Sequence, residues 1–129
     1  MPKTYKARGF TLIELLVVLI IVGILTGLAI PGFTKTREKA LDKEAQVSLN
    51  LIQAAEKMYY AKQGVYYTGA TALNDINSNL QLDLVAGSWA YSIDVALADF
   101  IGKAIRSGGT REWRIMKDSP DPYCVAGCL

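Results

Sequence analysis

The chain has 129 residues, of which 51% are hydrophobic, enough for one compact domain with an appended element and too few for two full-sized cores. Its net charge of +2 comes from Lys3, Lys6 and Arg8; the other 11 basic and 12 acidic groups come to −1, which argues against a generally nucleic-acid-binding protein. It has no histidine, which excludes imidazole as a base or ligand, and its two cysteines alone make a poor zinc site, so neither metal nor cofactor is expected.

Residues 1–9 read as a short basic leader ending at Gly9. An apolar helix is expected from Phe10. The stretch from Leu15 to Thr34 holds 20 residues without a charge. As a helix, Phe10 to Ile30 would be about 31 Å long at 1.5 Å per residue, which matches a hydrocarbon core about 30 Å thick. One membrane crossing is therefore predicted over residues 10–34. The basic flank should stay in the cytoplasm and the remainder lie outside it, although Lys35, Arg37 and Lys39 weaken the charge bias. A secretory signal carries its apolar region before a small-residue cleavage site. Here the small residue precedes the apolar region, so a cut after Gly9 would leave the anchor on the product. Glu14 is the lone charge between Arg8 and Lys35. An acid at the centre of a span costs at least ~2.5 kcal/mol, and less near its end. Glu14 is either an interfacial acid favoured by the helix dipole or a functional charge that needs a partner.

Lys6, Ala7, Arg8, Gly9, Phe10, Thr11, Leu12, Ile13 and Glu14, followed by an apolar stretch to Pro31, resemble the prepilin signature of type IV pilins and type II secretion pseudopilins. The likeness covers residues 6–33. It implies that a prepilin peptidase cuts between Gly9 and Phe10 and that the same membrane enzyme N-methylates Phe10. It also implies that Glu14 pairs with the N-terminal amine of a neighbouring subunit and sets the register of a homo-oligomeric filament, built on an assembly platform through the N-terminal helix. This chain would be the substrate of that chemistry and no enzyme itself. It would wait as a single-pass protein of the bacterial cytoplasmic membrane and end in an extracellular filament. A pilin is the leading reading. A pseudopilin or minor pilin shares the architecture. A non-polymerising, single-pass anchored binding module would have no use for Gly9, Phe10 and Glu14 together.

Within the span, Gly23 and Gly27 are one helical turn apart. That spacing suits close helix packing, or reflects the plain tolerance of spanning helices for glycine. Pro31 cannot donate to the carbonyl of Gly27, so the helix should bend or loosen between about Gly23 and Gly32. By resemblance this segment melts on assembly; a static kink is the other reading. Over residues 35–63 the pattern becomes amphipathic. Leu41, Ala45, Leu49, Ile52, Ala55 and Tyr59 form a core stripe, which Val47, Leu51, Ala54 and Met58 broaden. Lys39, Lys43, Gln46, Asn50, Gln53 and Lys57 take the polar side. Gly64 is the stop signal.

Residues 64–129 are expected to form a small head. Val65 to Tyr67 reads as extended and Thr71 to Asn77 as a short helix. Trp89 to Val95 and Arg111 to Lys117 read as strands, the latter with Trp113 and Ile115 on one face and Arg114 on the other. Phe100 to Ile105 is ambiguous, with helix possible. Gly108 and Gly109 mark a turn, and Asp118 to Tyr123 reads as irregular. About 65 residues are marginal as an independent domain. Packing on the amphipathic helix resolves this and gives an α+β class: a long N-terminal helix on a small antiparallel sheet, the plan that the resemblance also implies. Cys124 and Cys128 enclose three residues. In an exported head they read as a disulfide, which the chain can form if it curls locally; free thiols are the alternative. Lys103, Arg106, Arg111, Arg114 and Lys117 have only Glu112 among them. They could touch DNA, but an ordinary solvated surface is favoured because strand alternation divides them.

Overall fold

The computed structural model describes residues 9–128, without the side chains of residues 29–31. Lys3, Lys6 and Arg8 lie outside the described residues. The chain divides into two units, one ending at Glu38 and one beginning at Lys39.

Helix α1 spans Leu12–Gln63, 52 residues. Its start is defined by Thr11, whose hydroxyl oxygen accepts the Glu14 N–H at 3.3 Å. Its end is defined by Gly64, which adopts φ +76° and donates its N–H to the Tyr60 carbonyl at 2.8 Å. A side chain there would be strained, so glycine stops the helix cleanly. No single helix among the described residues is long and apolar enough to cross a membrane. Leu12–Leu28 and Gly32–Gln63 meet the length and composition together, across a break at residues 29–31.

In the second unit the head follows the second half of α1. Helix α2 covers Leu73–Leu80 and buries Ile76 and Leu80. The strands are β1 (Trp89–Ala96), β2 (Asp99–Arg106), β3 (Glu112–Met116) and β4 (Tyr123–Ala126). They form one antiparallel meander in the order β1-β2-β3-β4. The fold is α+β, a long N-terminal helix with a four-stranded antiparallel sheet.

Register explains the core. Ile93, Gly102 and Ile115 align across three strands, as do Tyr91, Ala104 and Trp113. One face of the sheet thus gathers Trp89, Tyr91, Ile93, Phe100, Ala104 and Ile115, all buried with Ala45, Leu49, Ile52 and Ala55 of α1. Gly102 marks the closest approach of helix and sheet. A Cβ there would lie 3.0 Å from Ile115 Cγ2 and 3.6 Å from both Ile52 Cγ2 and Leu49 Cδ2.

Several local expectations are corrected. The ambiguous segment Phe100 to Ile105 is strand β2, because its side chains alternate between core and surface once β1 and β3 flank it. The expected extended segment Val65 to Tyr67 joins no strand; the bridge to β1 is made three residues later, between Ala70 and Ile93. The region read as irregular up to Tyr123 leads into β4, whose Cys124 lies opposite Trp113. The short helix begins and ends later than expected. Val47, Leu51 and Met58 do not broaden the core stripe; all three are exposed. Ala54 is exposed with them. The expected stripe is buried at Ala45, Leu49, Ile52 and Ala55, with Tyr59 packed against it, and Asp42 and Glu56 join it. Nor does Gln53 face solvent. Its amide donates to the carbonyls of Met116 at 2.6 Å and Ser119 at 2.8 Å, so it holds the β3–β4 connection against the helix.

Candidate functional site

The first unit presents a short polar entry and a long apolar rod. Gly9 and Phe10 are exposed and precede the helix. Thr11 is the N-cap and Glu14 the third helical residue. Besides accepting the Glu14 N–H, Thr11 donates its own N–H to Glu14 Oε2 at 3.5 Å and its hydroxyl to the same oxygen at 3.3 Å. This is a reciprocal capping box. The sequence signal for it, Thr followed three residues later by Glu before an apolar run, was available and not used. Glu14 therefore has a local task at the helix start, one turn from the Gly9–Phe10 bond.

Beyond it, the large apolar residues from Leu12 to Leu28 are exposed by 45% to 84% of their surfaces, and they lie all round the helix. Amphipathic helices of soluble domains have a polar face; this segment has none and calls for an apolar surrounding. Gly23 and Gly27 share one side, and an added Cβ at either would meet nothing within 4 Å. Pro31 lies at the break between the two helical segments. Its side chain is outside the described residues.

The second unit holds its polar groups in long-range clasps. Asp42 Oδ1 accepts from Arg111 Nη1 at 2.9 Å, and Arg111 Nε donates to the Gly127 carbonyl at 2.9 Å. Gly127 sits inside the ring closed by the Cys124–Cys128 disulfide, whose Cα atoms are 5.9 Å apart. One arginine thereby ties the ring to α1. Trp89 Nε1 donates to the Leu41 carbonyl at 2.8 Å. Glu56 is fully buried; its Oε2 accepts the Tyr67 N–H at 2.9 Å, while Oε1 has no hydrogen-bond partner among the described residues. Burial pushes its carboxyl up to about 7, and the Tyr67 hydrogen bond opposes that only in part. Sequence reading missed Asp42 and Glu56 as buried groups. The available signal was spacing, since residues 42, 45, 49, 52 and 56 share one helical stripe.

The five basic residues do not form one field. Lys103 pairs with Asp94, Arg114 with Glu112, and Arg111 with Asp42. Lys117 lies 3.9 Å from Asp118, and Arg106 stands over the Trp89 ring at 5.6 Å. Among the described residues, no group of three or more Cys, Asp or Glu side chains is placed to hold a metal ion.

The family described as prokaryotic N-terminal methylation motif matches residues 4–30. The chain is 41% identical over 61 residues to the type IV major pilin protein of Myxococcus xanthus, covering 47% of this chain and 28% of that protein. It is 34% identical over 76 residues to the type II secretion system core protein G of Escherichia coli, covering 59% and 52%. It thus spans about half or less of the length of these two relatives. To the type IV wide pilus major component of Thermus thermophilus it is 34% identical over 106 residues, which is 81% of this chain and 78% of that protein. This chain belongs to the type IV pilin and type II secretion pseudopilin family. The match to the Thermus pilin component is too long to be confined to the N-terminal motif, so it takes in part of the pilin head. Members of this family are structural proteins, not enzymes. No solved structure matches the chain.

Proposed function

We propose that this chain is a structural subunit of a type IV pilus-like filament, made as a prepilin, cut between Gly9 and Phe10 and N-methylated on Phe10. Residues 10–34 anchor it in the cytoplasmic membrane before assembly and form the filament core afterwards. Residues 35–63 carry the head, 64–129, outside the cytoplasm. The observation that carries this reading is the all-round exposure of the apolar residues Leu12 to Leu28, with a single acid at their start. Lipid can cover such a surface, and so can the same surface of neighbouring subunits. Gly23 and Gly27 give room for close approach of a second helix.

The cut supplies the missing charge. A free α-amine has a reference pKa near 7.7–8.0 and is mostly cationic at neutral pH; methylation leaves it basic. Among the described residues, Glu14 Oε2 accepts from the Thr11 N–H and hydroxyl. After the cut, the Phe10 amine of a neighbouring subunit offers a full charge in an apolar setting where an unpaired acid is costly. Pairing of that kind fixes axial register. Prepilin peptidase and an assembly platform are the partners this requires. Nucleic acid is a weaker partner, because Lys103, Arg111 and Arg114 are each in an ion pair.

The experiment is to shear surface filaments from cells making the chain and sequence the subunit's N-terminus. Filaments beginning at N-methylated Phe10 are expected. Glu14→Leu should be inserted and cut normally, yet give at least tenfold fewer filaments. A wild-type yield from that variant would refute the pairing. The likeness to core protein G favours a second reading, a secretion pseudopilin. Processed protein at normal levels with no sheared filaments would select that reading or a minor pilin.

A further inference from the structure

The head carries an apolar knob and an apolar groove that cannot satisfy each other within one copy. The knob is the β1–β2 turn. Ala96 pairs with Asp99, so Leu97 and Ala98 alone make the connection. Leu97 is fully exposed, and Val95 beside it is largely exposed. Ala98 adopts φ +57°, a left-handed conformation that turns favour glycine or asparagine to supply. A tight turn thus tolerates backbone strain at its second residue and a leucine in water at its first.

The groove has a volume of about 350 Å³ and lies along α1, with Leu51, Ala54 and Met58 on one wall and Leu80 and Leu82 on the other. It has room for a leucine side chain. Lys62 is the one charged residue of its lining, and no acid lines it. The knob is the opposite: Asp99 is its nearest charge, with no basic residue from Val95 to Gly102. In its own chain the knob sits by Tyr60 and Gly64, where Val95, Ala96, Ala98 and Asp99 line a separate pocket. Tyr60 is about 200° round the helix from both Met58 and Lys62 at 3.6 residues per turn. Knob and groove therefore face opposite sides of α1.

We propose that Leu97 of one subunit inserts into the Leu51–Ala54–Met58 groove of a second copy, with Asp99 approaching Lys62. The inference rests on the filament reading above and names a head-to-head contact within it. The contact is heterologous: each copy uses one surface to give and another to receive, which builds an open filament wherever the rotation between copies does not close a ring. It also covers the exposed residues Leu51 and Met58, which the head's own core leaves unused.

The test uses the full chain in filament-bearing cells. Leu97→Cys and Met58→Cys are combined in one chain, and sheared filaments are treated with a thiol oxidant. A ladder of dimers, trimers and longer species is expected from the double variant, and monomer alone from either single variant. Leu97→Asp should reduce filament yield at least tenfold, while the processed protein accumulates and melts as wild type, since Leu97 is fully exposed in its own fold. Wild-type yield from Leu97→Asp, or intact double-variant filaments that give no ladder, overturns the docking and leaves the filament reading standing. A wild type that makes no filaments overturns both.

Discussion

Glu56 is a carboxyl placed where the fold favours its neutral form. Its folded value of about 7 lies above the ordinary carboxyl value of 4.5. The sign follows from proton binding: between those two values the folded state holds a proton that the unfolded chain has released. Stability from this group is complete below about pH 4.5 and is lost as pH rises through about 7. The span of about 2.5 pH units corresponds to up to about 3 kcal/mol at 1.36 kcal/mol per unit. Glu56→Gln retains an acceptor for the Tyr67 N–H and cannot ionise. Denaturant unfolding of the full chain in detergent should find the variant close to wild type at pH 4.5 and more stable at pH 8. Equal pH profiles for the two proteins would refute the assignment. Gln53 teaches the same lesson in a neutral group. On a helical wheel it is a surface residue, and in the fold it spans to carbonyls 63 and 66 residues away.

At the level of elements, the meeting of α1 and β2 depends on the absence of one side chain. Gly102 lies under Leu49 and Ile52 and beside Ile115, all fully buried. Gly102→Ala would press a methyl to 3.0 Å from Ile115 Cγ2. The cost should be about 1–3 kcal/mol, the usual range for overpacking a filled core. Thermal unfolding that is unchanged, or raised, would show that the helix can move away at no cost. The strands also show what was readable. Trp89–Ala96 and Glu112–Met116 alternate clearly between apolar and polar, so both were legible. Strand β2 was not: Phe100, Ile101, Ala104 and Ile105 read equally as helix, and the Leu97–Ala98 turn has none of the glycine, proline, asparagine or aspartate that announces a hairpin. Strand β4 is only four residues long, and its sequence carries no alternation strong enough to separate it from a loop.

Across the whole molecule, the two units obey different rules. The first exposes apolar surface along its helix from Leu12 to Leu28. The second is a small domain whose distant parts are tied together. Arg111 illustrates the second, since it joins Asp42 in α1 to Gly127 within the disulfide ring. Both side chains of the ion pair are 13% exposed. Arg111→Ala would leave Asp42 largely buried without its cation, and such losses cost about 3–5 kcal/mol. A lower melting temperature, with the Cys124–Cys128 bridge still resistant to thiol alkylation, is the expected result. An unchanged melting temperature would mean that water replaces the guanidinium.

The sequence by itself determined the junction at Gly9 and Phe10 as the candidate cut, the uncharged apolar run with Glu14 at its head, the α+β class and the helix stop at Gly64. Those features are contiguous, and hydropathy, charge and helix-breaking act through near neighbours along the chain. Only the tertiary structure decided that Asp42 and Glu56 are buried beside the predicted Ala45, Leu49, Ile52 and Ala55, and that Leu51, Ala54 and Met58 are not. The reason is that burial of a polar group depends on partners brought from far along the chain. Glu56 needs Tyr67, 11 residues on, and Asp42 needs Arg111, 69 residues on. Helical spacing puts both acids on the buried stripe, but no local pattern records the partners they meet there. The same holds for Leu97: its sequence neighbours are apolar, and the fold alone sets it on a turn in open solvent.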